Sequence, residues 1–504
     1  MDKTKSDALT KFLLALRFIF IFTTGYIHPD EFFQSPSPSA SFILDHNKDV
    51  LNDPLLTAWE FLHESPQRDM LIPLLTTGPS FAILKMFNLT QSWCLLYAPR
   101  VCLFIMSLVI DRMADRVLNN HIGSILYRSL WPVMVFHTRP FSNTMEAFSM
   151  VLCLYIMTTV HHTKYYKYIL LGFVSSFGLF TRFTFPMFAW PVVWCSVFNE
   201  PVPLVKDSFV KRVAYRVIRL IYWSVGFLFT SAIFVSFDTA YFSIVMNSNA
   251  KLVVAPFNNL LYNLDVTNLA KHTLHNRFLH SGVNMPMLYG PLYLMLLYIT
   301  IRHLRRSIRR VYSFFTSDFV LTKVASREAM AFVCVVSGLG LISLAKHQEP
   351  RFLIPLSLPM CLMAVCLHEE KVIDLNRIVT YVVGFSTWAA IFFGVLHQMG
   401  VLNSLFFFQH LSGDVVYHHT YMPPSYLLLD NKNIQVHDLG GGDISERILS
   451  LLSSLSNSTD TYIVSGTHYI GVDSNKCSSL SYLPHFSTET WSFFITICKL
   501  ARLQ

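Results

Sequence analysis

Charge is scarce in this chain. Only 14% of its 504 residues are Asp, Glu, Lys or Arg, against about 25% in an ordinary soluble domain. With 53% apolar residues and a mean hydropathy of +0.43, that deficit excludes a secreted globular domain on a single anchor. Cysteine motifs are missing too. The 9 cysteines are an odd number, form no CxxC pair and lie mostly inside apolar segments (Cys94, Cys102, Cys153, Cys195, Cys334, Cys361, Cys366), so neither a disulfide framework nor a zinc site is expected. Cys477 and Cys498 are the one pair left to consider. No Asp-x-Asp occurs, which removes the usual means of holding a divalent cation on a nucleotide diphosphate; no metal and no cofactor are expected. Internal repeats and low-complexity runs are absent as well. The first apolar stretch, Phe12 to Tyr26, follows Lys3, Lys5 and Lys11 but lacks a small-residue cleavage site, so it reads as a retained helix with a cytosolic start.

What is present is a succession of apolar stretches. Windows of about 20 residues place spans near 11–27, 93–111, 121–137, 145–161, 166–185, 186–199, 217–237, 286–301, 328–346, 351–368 and 378–399. This is an all-α polytopic membrane protein with about 11 transmembrane helices and luminal loops. The stretch 71–90 is interrupted by Pro73, Gly78, Pro79 and Lys85, and is expected to lie on or re-enter the membrane. A cytosolic start puts Lys211, Arg212, Arg216 and Arg219 inside, together with Arg302, Arg305, Arg306, Arg309 and Arg310, as the positive-inside bias requires. The net charge of +8 sits in such clusters, so the bilayer explains it and no nucleic acid is expected. The same scheme makes residues 28–68, Arg139, Asp238, 272–280 and 347–351 luminal, along with the sequons at Asn88 and Asn457. It divides the chain into a transmembrane module, 1–400, whose first luminal loop is 28–92, and a mixed luminal C-terminal region, 401–504. The final apolar segment, Trp491 to Leu500, is too short to span.

Five polar clusters fall on the luminal side. The first loop opens with His28-Pro-Asp30-Glu31. Sugar transfer needs a base to take the acceptor hydroxyl proton, and a carboxylate is the usual choice, which makes Asp30 the candidate; Asp30 and Glu31 also suit a helix start, and the two roles are compatible. Trp59, Glu60 and Arg68 add aromatic, acidic and basic groups to that loop. Arg139, Asn143 and Glu146 sit at a helix start, where the i, i+3 spacing puts Asn143 and Glu146 on one face; a structural cap with a snorkelling Arg139 fits equally. Arg182 lies near the boundary of an otherwise apolar helix, where a charge usually serves an ion pair or a ligand. His347, Gln348, Glu349 and Arg351 join two spans, and histidine with arginine suits a phosphate leaving group, as does the segment carrying His272, His275, Arg277 and His280. No carboxylate stands beside those histidines at ligand spacing, so they do not suggest a metal. A lipid-phosphate sugar donor accounts for both features, its tail remaining in the bilayer while Arg and His hold a monophosphate.

Gly25 to Ser35, the run Thr138-Arg-Pro-Phe-Ser-Asn-Thr-Met-Glu146 and His347-Gln-Glu-Pro-Arg-Phe-Leu353 resemble the signatures of glycosyltransferase family 22, the dolichol-phosphate-mannose-dependent α-mannosyltransferases of the endoplasmic reticulum. The likeness runs from about residue 10 to 430. Tyr262 to His272, Tyr417 to Pro424 and, more weakly, Gly394 to Gln398 are similar to members that extend a glycosylphosphatidylinositol (GPI) anchor precursor. The resemblance implies a GT-C-type fold, no metal, and inverting transfer of the fourth GPI mannose in α-1,2 linkage from dolichol-phosphate-mannose. It implies Asp30 as general base, with Glu31 orienting it or the acceptor; the assignment of arginines and His347 to the donor rests on their chemistry instead. Relatives adding other mannoses share similar His-Pro-Asp-Glu loops, so the third GPI mannose and lipid-linked oligosaccharide stay open as alternatives. A transporter is the reading from another class, but carriers bind near the midplane, and the polar groups here gather on one side.

Overall fold

The computed structural model describes residues 3–44, 58–62, 65–201, 209–245, 252–269, 274–316, 320, 323–440, 460–466, 477–488 and 491–500. In hydrocarbon a backbone must satisfy its own hydrogen bonds, and the apolar runs accordingly become helices. Among the described residues, 6 are long and apolar enough to cross a membrane: Ser92–Leu118, Phe209–Ile244, His280–Arg302, Val324–Ile342, Pro350–Glu369 and Leu375–Leu396. The other expected spans are not among these six. Lys3–Ile21, Ser142–Thr159, Tyr166–Thr181 and Phe185–Trp194 are single helices, whereas 121–137 divides into His121–Ser129, Trp131–Val135 and the 3-10 turn Phe136–Thr138. Pro132 causes that break, because it cannot continue a helix yet suits the first turn of a new one. Residues 71–90 form two short helices, Leu71–Thr76 and Gly78–Met86, with a proline in the first turn of the second.

Small residues decide where helices touch. Tyr166–Thr181 packs along Phe209–Val245 at Gly172 and Gly226, where an added Cβ would collide with the backbone of Trp223 and Ile169 respectively. The segment Pro350–Glu369 is the most enclosed, with 89% of its apolar window buried, and its 3-10 start, Pro350–Leu356, carries Arg351 into the polar side of the molecule. At its other end Glu370 pairs with Arg310 at 2.9 Å.

Beyond the last long helix, Met399–Phe408 leads into a five-stranded sheet: β1 (Gly413–His418), β2 (Ile434–Asp438), β3 (Thr461–Gly466), β4 (Cys477–Pro484) and β5 (Phe494–Leu500), in the order β2-β1-β3-β5-β4. β1 is parallel to β2 and β3, while β5 is antiparallel to β3 and β4. Cys477 and Cys498 are disulfide-bonded, and the final apolar segment is β5. One face of the sheet packs into the rest of the molecule. Val415, Tyr417, Val464 and Ile497 share one buried cluster with Leu402 and Leu405 of the preceding helix and with Tyr26, Phe32 and Phe33 of the first loop.

Candidate active site

The first helix ends at Ile21, and the chain runs on without helix to His28. Thr23 Oγ1 donates to the Gly394 carbonyl at 2.7 Å, Tyr26 N to the His397 carbonyl at 2.7 Å, and Tyr26 Oη to the Met422 carbonyl at 2.8 Å. Gly25 is required here, since an added Cβ would fall onto the Gly394 carbonyl. Pro29 then starts the one-turn helix Asp30–Phe33, accepting from the amides of Phe32 and Phe33. Consecutive helical residues point about 100° apart, so Asp30 and Glu31 face different surroundings.

Glu31 faces inward and is fully buried. Arg100 Nε donates to its Oε1 at 2.9 Å and Arg139 Nη1 to its Oε2 at 2.8 Å. Both guanidinium groups also donate to backbone: Arg100 reaches the Thr23 carbonyl at 2.6 Å, and Arg139 reaches Gly25 at 2.6 Å and Gly394 at 2.9 Å. This network ties the loop to the start of Ser142–Thr159 and to the end of the last long helix.

Asp30 faces a partly open cluster. Its carboxylate pairs with Arg351, accepts from Gln34 Nε2 and lies 3.3 Å from His28 Nδ1. Arg351 also pairs with Glu349, whose Oε1 is 2.7 Å from His347 Nε2 and whose Oε2 is 3.8 Å from His28 Nε2. Burial works against ionisation of Asp30, but the positive charge of Arg351, followed by His28, outweighs it and holds the carboxyl well below its ordinary range. The same balance holds Glu349 low: burial opposes, and Arg351, His28 and the His347 hydrogen bond prevail. Both carboxylates are therefore charged at neutral pH.

Around this centre stand groups from three other segments. Gln34 Nε2 is 3.3 Å from Glu60 Oε2, and Glu60 Oε1 pairs with Arg68 Nε at 3.1 Å. Ser142 donates to Gln34 Oε1 at 2.7 Å and accepts from Arg182 at 2.9 Å. Arg182 Nε lies 3.4 Å from Glu146, which accepts from Thr184 at 2.7 Å. Both Arg182 and Arg351 lie over the ring of Phe352, at 4.9 and 5.5 Å. Trp59 is 44% exposed, its ring 5.1 Å from that of Tyr262.

Eight of the residues picked out in the sequence thus meet in one cluster: His28, Asp30, Glu60, Glu146, Arg182, His347, Glu349 and Arg351. Glu31 and Arg139 form the buried network behind it. Asn143 is fully enclosed, about one helical turn before Glu146. Gln348 is buried and docks the segment 275–280, accepting from His280 N at 3.0 Å and donating to the Arg277 carbonyl at 3.4 Å; the Arg277 side chain is exposed. His272 lies outside the described residues. Arg100, Gln34, Ser142 and Phe352 were not picked out. Arg100 carried a usable signal, an arginine in the middle of an apolar helix, whereas Gln34 and Ser142 are marked only by where the fold brings them. Among the described residues no group of three or more His, Cys, Asp or Glu is placed to hold a metal ion.

Residues 8–433 match the model of a family described as the Alg9-like mannosyltransferase family. The chain is 30% identical over 459 residues to GPI alpha-1,2-mannosyltransferase 4 of Homo sapiens, covering 83% of this chain and 75% of that protein. It is 28% identical over 509 residues to GPI mannosyltransferase 4 of Candida albicans, covering 92% and 91%, and 27% identical over 440 residues to GPI mannosyltransferase 4 of Saccharomyces cerevisiae, covering 82% and 75%. Among solved structures the fold is similar to that of ArnT from Cupriavidus metallidurans bound to undecaprenyl phosphate, with a TM-score of 0.50 at 9% identity, over 99% of this chain and 98% of that one.

Proposed function

The chain belongs to the Alg9-like mannosyltransferase family, and from that premise we propose that it is a GPI mannosyltransferase, transferring the fourth mannose from dolichol-phosphate-mannose to the third mannose of a GPI anchor precursor, in α-1,2 linkage and with inversion. The relatives named GPI mannosyltransferase 4 support a GPI acceptor. The observation that carries the chemistry is the meeting of Asp30 with Arg351, Glu349, His28 and His347 from distant segments.

In this reading the acceptor hydroxyl attacks the anomeric carbon, the bond from that carbon to the phosphate oxygen breaks, and dolichol phosphate leaves. Asp30 takes the hydroxyl proton. Arg351 is shared between the base and the leaving group: as it turns to the departing phosphate, Asp30 loses its cationic partner and gains proton affinity when the proton arrives. Arg182, held by Glu146 and Phe352 beside it, offers a second cation to the phosphate, and His347 stands beside them as a hydrogen-bonding group. Trp59 presents an exposed ring to the acceptor glycan, with Glu60 and Arg68 next to it. Glu31 with Arg100 and Arg139 positions the loop and touches neither substrate. The active site faces the lumen of the endoplasmic reticulum; the Cys477–Cys498 disulfide, on the sheet packed against the same loop, suits an oxidising compartment.

The test is mannose transfer from dolichol-phosphate-mannose to a three-mannose GPI precursor, in membranes carrying wild type or Asp30→Asn. A loss of roughly a hundred- to ten-thousand-fold at equal expression is expected for removal of a general base. Retained activity in the variant removes Asp30 from that role. A wild type inert on this precursor but active on another mannosylated lipid keeps the family and overturns the acceptor.

A further inference from the structure

Among the described residues β4 is an edge strand, closed by Pro484, and it presents exposed apolar side chains among its serines. Leu480, Tyr482 and Phe494 are 39%, 58% and 49% exposed, and Trp491 and Phe493 beside them are 69% and 60% exposed. Phe494 is paired with Pro484 in the register, so it shares a face with Tyr482 and Leu480. From Leu480 to Phe494 the sequence carries a single Asp, Glu, Lys or Arg, Glu489, outside the two strands. Soluble proteins protect an edge with charge, proline or a cover, because an apolar edge in water recruits other strands.

The place of this edge is set by a chain of aromatic contacts. Trp388, 67% exposed on the outer face of the membrane-crossing helix Leu375–Ile391, stacks on Phe392 at 5.6 Å. Phe392 meets Phe486 at 5.1 Å, and Phe486 meets Phe493 at 5.4 Å. Backbone contacts hold the same junction: Gln398 N donates to the Phe486 carbonyl at 2.8 Å, and Gln398 Nε2 to Ser487 at 3.0 Å. The exposed aromatics are thus continuous with a lipid-facing helix at the end where Trp and Tyr ordinarily mark the interface.

We infer that the β4–β5 edge, with Trp491 and Phe493, is a membrane-binding surface seated in the headgroup layer of the leaflet on the site's side. The ligand is the phospholipid interface. The contact also bears on catalysis, because the turn that holds Phe486 is the one whose His397 carbonyl anchors Tyr26, two residues before His28. Lipid contact at the sheet therefore sets the height of the Asp30 loop above the bilayer.

The test uses the full chain in lipid nanodiscs with Trp491→Cys and, separately, Tyr482→Cys, each carrying an environment-sensitive fluorophore. Lys432→Cys, exposed just before β2 at the opposite edge, is the control. Nitroxide phospholipid is expected to quench the labels at 491 and 482 several-fold more than the control, and aqueous iodide to quench them several-fold less. Strong iodide quenching without lipid quenching shows a free surface and overturns the inference. Protection from both quenchers shows a protein cover and overturns it equally. Independently of any substitution, a photoreactive phospholipid is expected to label the stretch 480–494 of the wild type; labelling confined to the helices refutes the proposal. Transfer measured on the same nanodiscs reports separately on the proposed activity.

Discussion

Asp30 and Glu31 are neighbours of one charge type with opposite surroundings, and their substitutions should separate accordingly. Asp30 sits in a partly open cluster, so Asp30→Asn is expected to lower transfer and leave the fold. Glu31 is the counter-charge of two arginines that are themselves buried. Glu31→Gln therefore leaves buried positive charge without its partner, a change costing about 3–5 kcal/mol; the expected outcome is a lowered thermal midpoint and poor recovery of monodisperse protein, with activity lost as a consequence. A carboxyl held below its unfolded value adds stability above that value and loses it as pH falls through the folded one. Asp30 and Glu349 thus stabilise the cluster at neutral pH and let go only from about pH 4 downward. Arg351 is the largest of the influences that lower Asp30. Arg351→Gln should shift the acid limb of kcat/KM upward by about 1–3 pH units, besides slowing transfer. An acid limb left in place would show that Asp30 is not the group being titrated.

At the scale of elements, close approaches place the site as much as the charges do. The pair Tyr166–Thr181 and Phe209–Val245 meets at Gly172 and Gly226, as small residues allow helices to do in lipid. Arg182 caps the first of these helices. Gly226→Leu forces the pair apart, an overpacking that costs about 1–3 kcal/mol and carries Arg182 away from Glu146 and Phe352. Thermal unfolding in detergent should fall, and the surviving enzyme should show a raised KM for donor with a smaller change in kcat. The break at Pro132 belongs to this scale too. It lets the chain turn at Phe136–Thr138 and bring Arg139 against Glu31, which an unbroken helix over 121–137 would not do.

At the scale of the molecule, the membrane helices and the sheet share a core through the Asp30 loop. Tyr26, Phe32 and Phe33 share one buried cluster with Val415, Tyr417, Val464 and Ile497 of the sheet, so the sheet is part of what holds the site. Truncation after Leu411 should abolish transfer and drive the protein to aggregate, measured by transfer assay and gel filtration of extracted membranes. A truncated chain that stays active would show that the helices alone hold the loop.

Composition and hydropathy by themselves determined that this is a many-helix membrane protein, because a bilayer imposes a length and an apolarity that show in any window of sequence. Local spacing was enough to mark His28, Asp30, Arg182, Glu349 and Arg351, because charge at a membrane boundary is costly and therefore conspicuous. The partition between Asp30 and Glu31, the parts of Arg100, Gln34 and Ser142, and the sheet within residues 413–500 were decided only by the tertiary structure. Each depends on which distant segment comes to lie against it: Arg100 is conspicuous in its apolar helix, but that its partner is Glu31, 69 positions away, leaves no local pattern to read.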